Sequence, residues 1–316
     1  MMDPVAWWDW PVELNTPGTI MSGSIDAPEA AAEDRGIMTI TVQELAYYPV
    51  KGCAGVRADR AELTGTGLVH DRTFMVVDAE NGAFRSQRTL PAMAAIRAEV
   101  LDGGHVLLLS AQDLEPLKLD VDRDGPRRAV SMFDRPLGEA CDQGDAAAEW
   151  FSEALGTRSR LVRVAPGFDR DGWGETPGKV NFADAHAVLV ASTASLAGLN
   201  ARIEARGDAP GVPMDRFRPN IVLSGSDEPH FEDRVRRMTI GSAELAYAVR
   251  AMRCNVPLVD QSTGLRAGPE PVRTLATYRR EPDYGNKVSF GAKNAVVRDG
   301  VVAVGDVVGI TSRLDA

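Results

Sequence analysis

The chain has 316 residues, 44% of them hydrophobic and 25% charged, with a net charge of −10. That length allows two modest domains with a real core. The acidic balance argues against a nucleic-acid binder, which needs a basic surface, and against a polybasic membrane anchor.

Residues 1–37 are rich in Gly, Ser, Pro, Ala and acidic side chains after the cluster Trp7, Trp8 and Trp10, and read as a disordered extension. Met38 opens a strand pattern that runs to Val50. Asn81-Gly82 separates Thr73–Asp78 from Ala83–Gln87, a hairpin signal. Asp102-Gly103-Gly104 separates 95–101 from 106–110 in the same way. A helix is expected over 145–155, with Gly156 as its stop and Trp150, Phe151 and Leu155 on its apolar face.

The second half mixes both types. A buried strand is expected over 187–191. Ser192 should cap a helix that reaches Arg206 and stops at Gly207. Strands follow at 220–223, 237–240 and 244–249, a short helix at 271–278, and a closing hairpin around Asp299-Gly300. The expected class is α+β, mainly β, with barrel-like sheets and few helices. No GxGxxG follows a strand, so a dinucleotide-binding domain is not expected.

Cys53, Cys141 and Cys254 are far apart and odd in number, with no CxxC pair, which suits a reducing cytoplasm better than a disulfide framework. His70, His105, His186 and His230 show no zinc-type spacing. No apolar run of about 18 residues is present, so no membrane span is expected, and the first residues lack the pattern of a secretory signal.

Four segments carry chemistry: Tyr48-Pro49-Val50-Lys51-Gly52-Cys53, His70-Asp71-Arg72, Phe217-Arg218-Pro219-Asn220, and Arg253-Cys254 leading to Val259-Asp260 and Thr263-Gly264. Cys254 follows a strand and adjoins Arg253. A neighbouring positive charge favours the thiolate, the form that binds soft metals or attacks electrophiles.

Together with Ser86, Arg88 and Pro91, and with Val302-Ala303-Val304-Gly305-Asp306 near the end, this ordered set resembles the MOSC-domain proteins with a companion MOSC N-terminal β-barrel domain. Within that family it resembles the amidoxime-reducing members, mitochondrial and bacterial. The resemblance runs from about Met38 onward. It implies a MOSC N-terminal β-barrel domain over 38–165 packed with a MOSC domain over 166–316.

The resemblance also implies a molybdenum cofactor (Mo-molybdopterin) with Cys254 as protein ligand to the metal. Lys51, Arg72, Arg218, Asn220 and Arg253 would hold the pterin and its phosphate, which suits paired hydrogen bonds from arginine. His186 is either a polar group near the cofactor or a satisfied histidine at a strand start. Asp260 is either a proton relay or, as its turn-forming context favours, an organiser of the loop. Two departures stand out: Gly52 follows the lysine where many relatives carry serine, and Met252 stands where some carry a small polar residue.

The implied activity is reduction of small N-hydroxylated compounds, with electrons from a separate redox protein. No nucleic-acid or membrane partner is expected. The alternative is a sulfur carrier or cofactor-binding module with a persulfide on Cys254.

Overall fold

The computed structural model describes residues 39–314; the 1–37 extension, its tryptophans and Met38 lie outside them. Among the described residues strands dominate. Only α1 (Gly144–Leu155), α2 (Thr193–Ala205) and α3 (Val272–Leu275) are α-helical. The expected mainly-β α+β class is what forms.

The largest sheet runs in the order Val308–Arg313, Val235–Ile240, Ala243–Arg253, Lys287–Arg298, Val188–Ser192, Ile221–Ser224, Thr41–Tyr47, Val56–Ala58. It closes on itself: Thr41 bridges Val307, and Val308 N donates to Ile40 O at 2.8 Å. Closure removes most of the open edge that a long sheet would otherwise present. Val188–Ser192 is buried at every position and pairs parallel with Ile221–Ser224, which explains its unbroken apolar run. The strand Thr41–Tyr47 thus crosses from the first half of the chain into the sheet of the second.

The first half also builds a five-stranded sheet, Arg127–Met132, Arg135–Asp142, Ser159–Val164, Phe74–Asp78 and Val50–Lys51. A three-stranded sheet, Arg97–Leu101, Val106–Ser110 and Leu117–Asp120, stands beside it. Helix α1 closes this core, with Phe151 and Leu155 packed among Phe74, Leu107, Leu109 and Leu161. Gly156 ends it at φ 63, a conformation that favours glycine. Ser192 caps α2, accepting a hydrogen bond from Ser195 N at 3.1 Å.

Two expected hairpins take a different form. After Asp78 the chain turns through Asn81-Gly82, but its return limb forms only isolated bridges such as Val77 to Phe84, and Phe74–Asp78 finds its ladder partner in Ser159–Val164. Gly300–Ala303 does not fold back on Lys287–Arg298. It crosses to Arg60–Thr64, while Lys287–Arg298 pairs with Ala243–Arg253. The helix expected over 271–278 shortens to α3.

Candidate functional site

Cys254 leaves the end of strand Ala243–Arg253 and lies half-buried in a cavity walled by both halves of the chain. Seven side chains of this lining are cationic (Lys51, Arg72, Arg88, Arg216, Arg218, Arg253 and Lys293), and one, Asp184, is a carboxylate. The cluster of positive charge is local, since the chain as a whole carries −10.

The sulfur takes its hydrogen bond from Arg88, with Nε 3.4 Å from Sγ. Arg88 is itself positioned: its guanidinium lies 4.7 Å from the Phe133 ring centroid, and its carbonyl accepts from Arg266 Nη2 at 2.5 Å. Beside it, the amides of Gln87 and Gln261 pair with each other at 3.1 and 3.2 Å, and Gln87 Nε2 also donates to Gly52 O at 2.6 Å. These contacts fasten the loop around Cys254 to the first half of the chain.

Lys51 extends from a two-residue strand held parallel to Phe74–Asp78 and forms an ion pair with Asp184. Burial pulls the Lys51 ammonium down to about 8, with Asp184 opposing the shift. Burial pushes the Asp184 carboxyl up, but Lys51, Lys293 and Arg88 prevail and hold it well below the usual carboxylate range.

Arg72 and Arg218 share the Tyr48 ring, at 4.3 and 4.2 Å from its centroid. Both adopt positive φ, 48° and 55°, a strained backbone sustained by their contacts. Arg72 Nη1 donates to Asp71 Oδ2 at 2.6 Å, and Arg218 donates to Gln261 Oε1 at 2.9 Å and to Cys53 O at 2.6 Å. Tyr48 Oη donates to Pro219 O at 3.0 Å, and burial pushes the phenol up to about 12.

Lys51, Arg72, Arg218, Arg253 and Cys254 therefore converge as expected, and both departures noted in the sequence line the same cavity. A side chain at Gly52 would be strained at φ +86 and would meet Met93 Cε at 2.9 Å. Met252 contributes to the wall.

Three expected site residues lie elsewhere. His186 is fully buried and absent from the lining. Its Nδ1 accepts from Ala187 N at 3.1 Å and its Nε2 donates to Thr176 O at 3.0 Å, so both ring nitrogens are used internally. Asn220 is buried and saturated: Oδ1 accepts from Arg72 Nη1 and Leu189 N, both at 3.0 Å, while Nδ2 donates to Ala46 O and Asp71 Oδ1, both at 3.1 Å. It positions Arg72 rather than facing the cavity. Asp260 accepts from Ser262 N, Ser262 Oγ and Thr263 N at 2.5–3.1 Å, the loop-organising role. These bonds, the Ser262 hydroxyl foremost, hold its carboxyl down at about 2.

Arg253 belongs to the wall but differs in role. Its guanidinium donates to Phe290 O and Phe217 O, both at 3.0 Å, and braces the strand end; the hydrogen bond to sulfur comes from Arg88. Burial lowers Arg253 to about 10.

Sequence reasoning passed over Asp184, Arg216 and Lys293, and noted Arg88 without giving it a role. A charge inside the apolar run of Lys287–Arg298 was the available signal for Lys293.

The donor set suits a molybdenum cofactor. It offers one accessible thiol as a soft ligand and an anion cradle, in which the buried Arg216 Nε has no hydrogen-bond partner among the described residues. No helix of the described residues is long and apolar enough to cross a membrane.

Comparison with known proteins gives concordant matches. Residues 39–158 match the MOSC N-terminal beta barrel domain and residues 177–309 match the MOSC domain. The chain is 33% identical over 283 residues to mitochondrial amidoxime-reducing component 1 of Mus musculus, covering 84% of this chain and 81% of that one. The human counterpart is 32% identical over the same length, with the same coverage. A molybdenum cofactor sulfurase of Arabidopsis thaliana is 29% identical over 296 residues; the match covers 87% of this chain but spans only 35% of the sulfurase.

Proposed function

Because the chain belongs to the family that joins a MOSC N-terminal beta barrel domain to a MOSC domain and includes the mitochondrial amidoxime-reducing components, we propose that it is a molybdenum-cofactor-dependent reductase of small N-hydroxylated compounds. The observation that carries this reading is the cavity itself: Cys254 among seven cations and one carboxylate in an acidic chain.

Molybdenum, when bound, would supply the two-electron redox chemistry. Overall, an N–OH group takes up two electrons and two protons, leaving an N–H group and water. Cys254 is the ligand to the metal, and Arg88 fixes the direction of its sulfur. Arg72 and Arg218, spaced by Tyr48, hold the anionic end of the pterin cofactor, with Arg253, Arg216 and Lys51 adding positive charge to the wall. Asp184 keeps Lys51 in place, and Asn220 keeps Arg72 in place. In this reading Asp260 shapes the loop and moves no proton. The electrons come from a separate redox protein. The three free cysteines, two of them buried, suit a cytoplasmic setting.

A second reading is favoured by the sulfurase similarity: Cys254 carries a persulfide and the protein acts as a sulfur carrier or cofactor-binding module. Molybdenum and pterin content of purified protein, followed by benzamidoxime reduction with a chemical reductant, separates the two. Stoichiometric metal with turnover is expected. Metal-free protein with cyanide-labile sulfur on Cys254 would replace the first reading with the second.

A further inference from the structure

The cations around Cys254 are not equivalent. Arg72, Arg218 and Arg253 donate to groups of the protein itself, Arg216 donates to Pro257 O and to Asp260, Arg88 to the sulfur, and Lys51 is paired with Asp184. Lys293 differs. Among the described residues it makes no hydrogen bond and no ion pair, yet its side chain lines the cavity.

Its strand fixes it there. Lys293 stands in the middle of Lys287–Arg298, in register with Leu189 on one side and Val249 on the other. The charges that bear on it are Arg72, Arg253 and Lys51, of its own sign, and Asp184, which Lys51 already engages. Burial, reinforced by these cations, pulls the ammonium down to about 7. Lys293 is half-buried, so its ammonium is only partly withdrawn from water; with no partner there, an anion that arrives beside it relieves the cost of that withdrawal.

We propose that Lys293 is a specificity residue of this cavity: it receives an oxyanion of the incoming substrate, so the site favours N-hydroxylated compounds that carry a carboxylate over uncharged ones. The inference rests on the reductase reading above. The same oxyanion chemistry has a second source, the phosphate of the cofactor, and the experiment separates the two.

Cofactor-loaded protein, without any reductant, is titrated calorimetrically with N-hydroxyglycine and with its uncharged amide, N-hydroxyglycinamide. Wild type, Lys293→Met, Lys293→Gln and Lys293→Arg are compared, and pterin content is measured in each sample. Wild type should bind the acid at least about tenfold tighter than the amide, a difference of about 1.4 kcal/mol. Lys293→Met and Lys293→Gln should bring the two ligands within about twofold at unchanged pterin content, and Lys293→Arg should retain the preference. A preference that survives in the Met and Gln variants, or is missing from wild type, overturns the proposal. Pterin loss in those variants with the ligand preference intact assigns the oxyanion to the cofactor and also overturns it. Because binding is read without electrons, protein that selects the acid here but fails to reduce it once a chemical reductant is added would sink the reductase reading and leave the role of Lys293 standing.

Discussion

Replacing Asn220 with alanine distinguishes a residue that holds the cofactor from one that holds the protein. The side chain is 1% exposed and makes four hydrogen bonds. Without it, Leu189 N and Ala46 O lose their bonds to the side chain in a buried setting, and Arg72 keeps Asp71 but loses its second side-chain partner. A buried polar group left unsatisfied costs about 1–3 kcal/mol, so we expect a loss of roughly 3–5 kcal/mol. At about 2–3 °C per kcal/mol for a chain of this size, the melting temperature should fall by about 6–15 °C. The assay is thermal unfolding of cofactor-free protein, with pterin content of the loaded form measured alongside. A melting temperature within about 2 °C of wild type, together with lost pterin, would refute the positioning role and restore Asn220 as a cofactor contact.

Other expectations follow from the same geometry. Cys254→Ala should leave unfolding within about 1 kcal/mol of wild type, since the side chain is only half-buried, while molybdenum content and benzamidoxime reduction are lost; equal turnover by the two proteins would remove Cys254 as ligand. Glu232 is fully buried against the hydroxyls of Ser192 and Ser195, and burial, then Asp233, raises its carboxyl to about 7 from an ordinary 4.5. The folded chain therefore keeps a proton that the unfolded chain releases, and this contribution to stability, complete below pH 4.5, is lost as pH rises to about 7. Glu232→Gln should flatten that slope in urea titrations across the window; an identical slope in both proteins would contradict it.

Local signals were legible where they were sufficient in themselves. Ser192 has the oxygen a helix start needs, and Asp102-Gly103-Gly104 joins two strands that pair with each other. Asp299-Gly300 is as clear a turn, yet the strand after it pairs with Arg60–Thr64, and nothing near residue 300 encodes so distant a partner. The site divides in a similar way. Lys51, Arg72, Arg218 and Cys254 stand in segments whose order resembles a family. Lys293 and Arg216 are single charges whose meaning depends on which cations the backbone already occupies. For His186 and Asn220 the sequence reveals a polar group near the site, but whether its hydrogen bonds turn inward is decided by the packing of Thr176, Leu189 and Ala46 around them.

Closure of the barrel through Thr41 and Val307 sets an order on synthesis. Val42 and Leu45, each 1% exposed in the folded protein, leave the ribosome with Thr41–Tyr47, but their neighbours at Ile221–Ser224 and Val307 are translated much later. At about 5–20 residues per second, that strand waits roughly 10–50 s for its partners. During that interval the strand has only the short Val56–Ala58 as a ladder partner, and its other edge stays open. The yield of correctly folded protein in a cell should therefore depend on holding factors that engage this strand during translation, more than on the stability of the finished barrel.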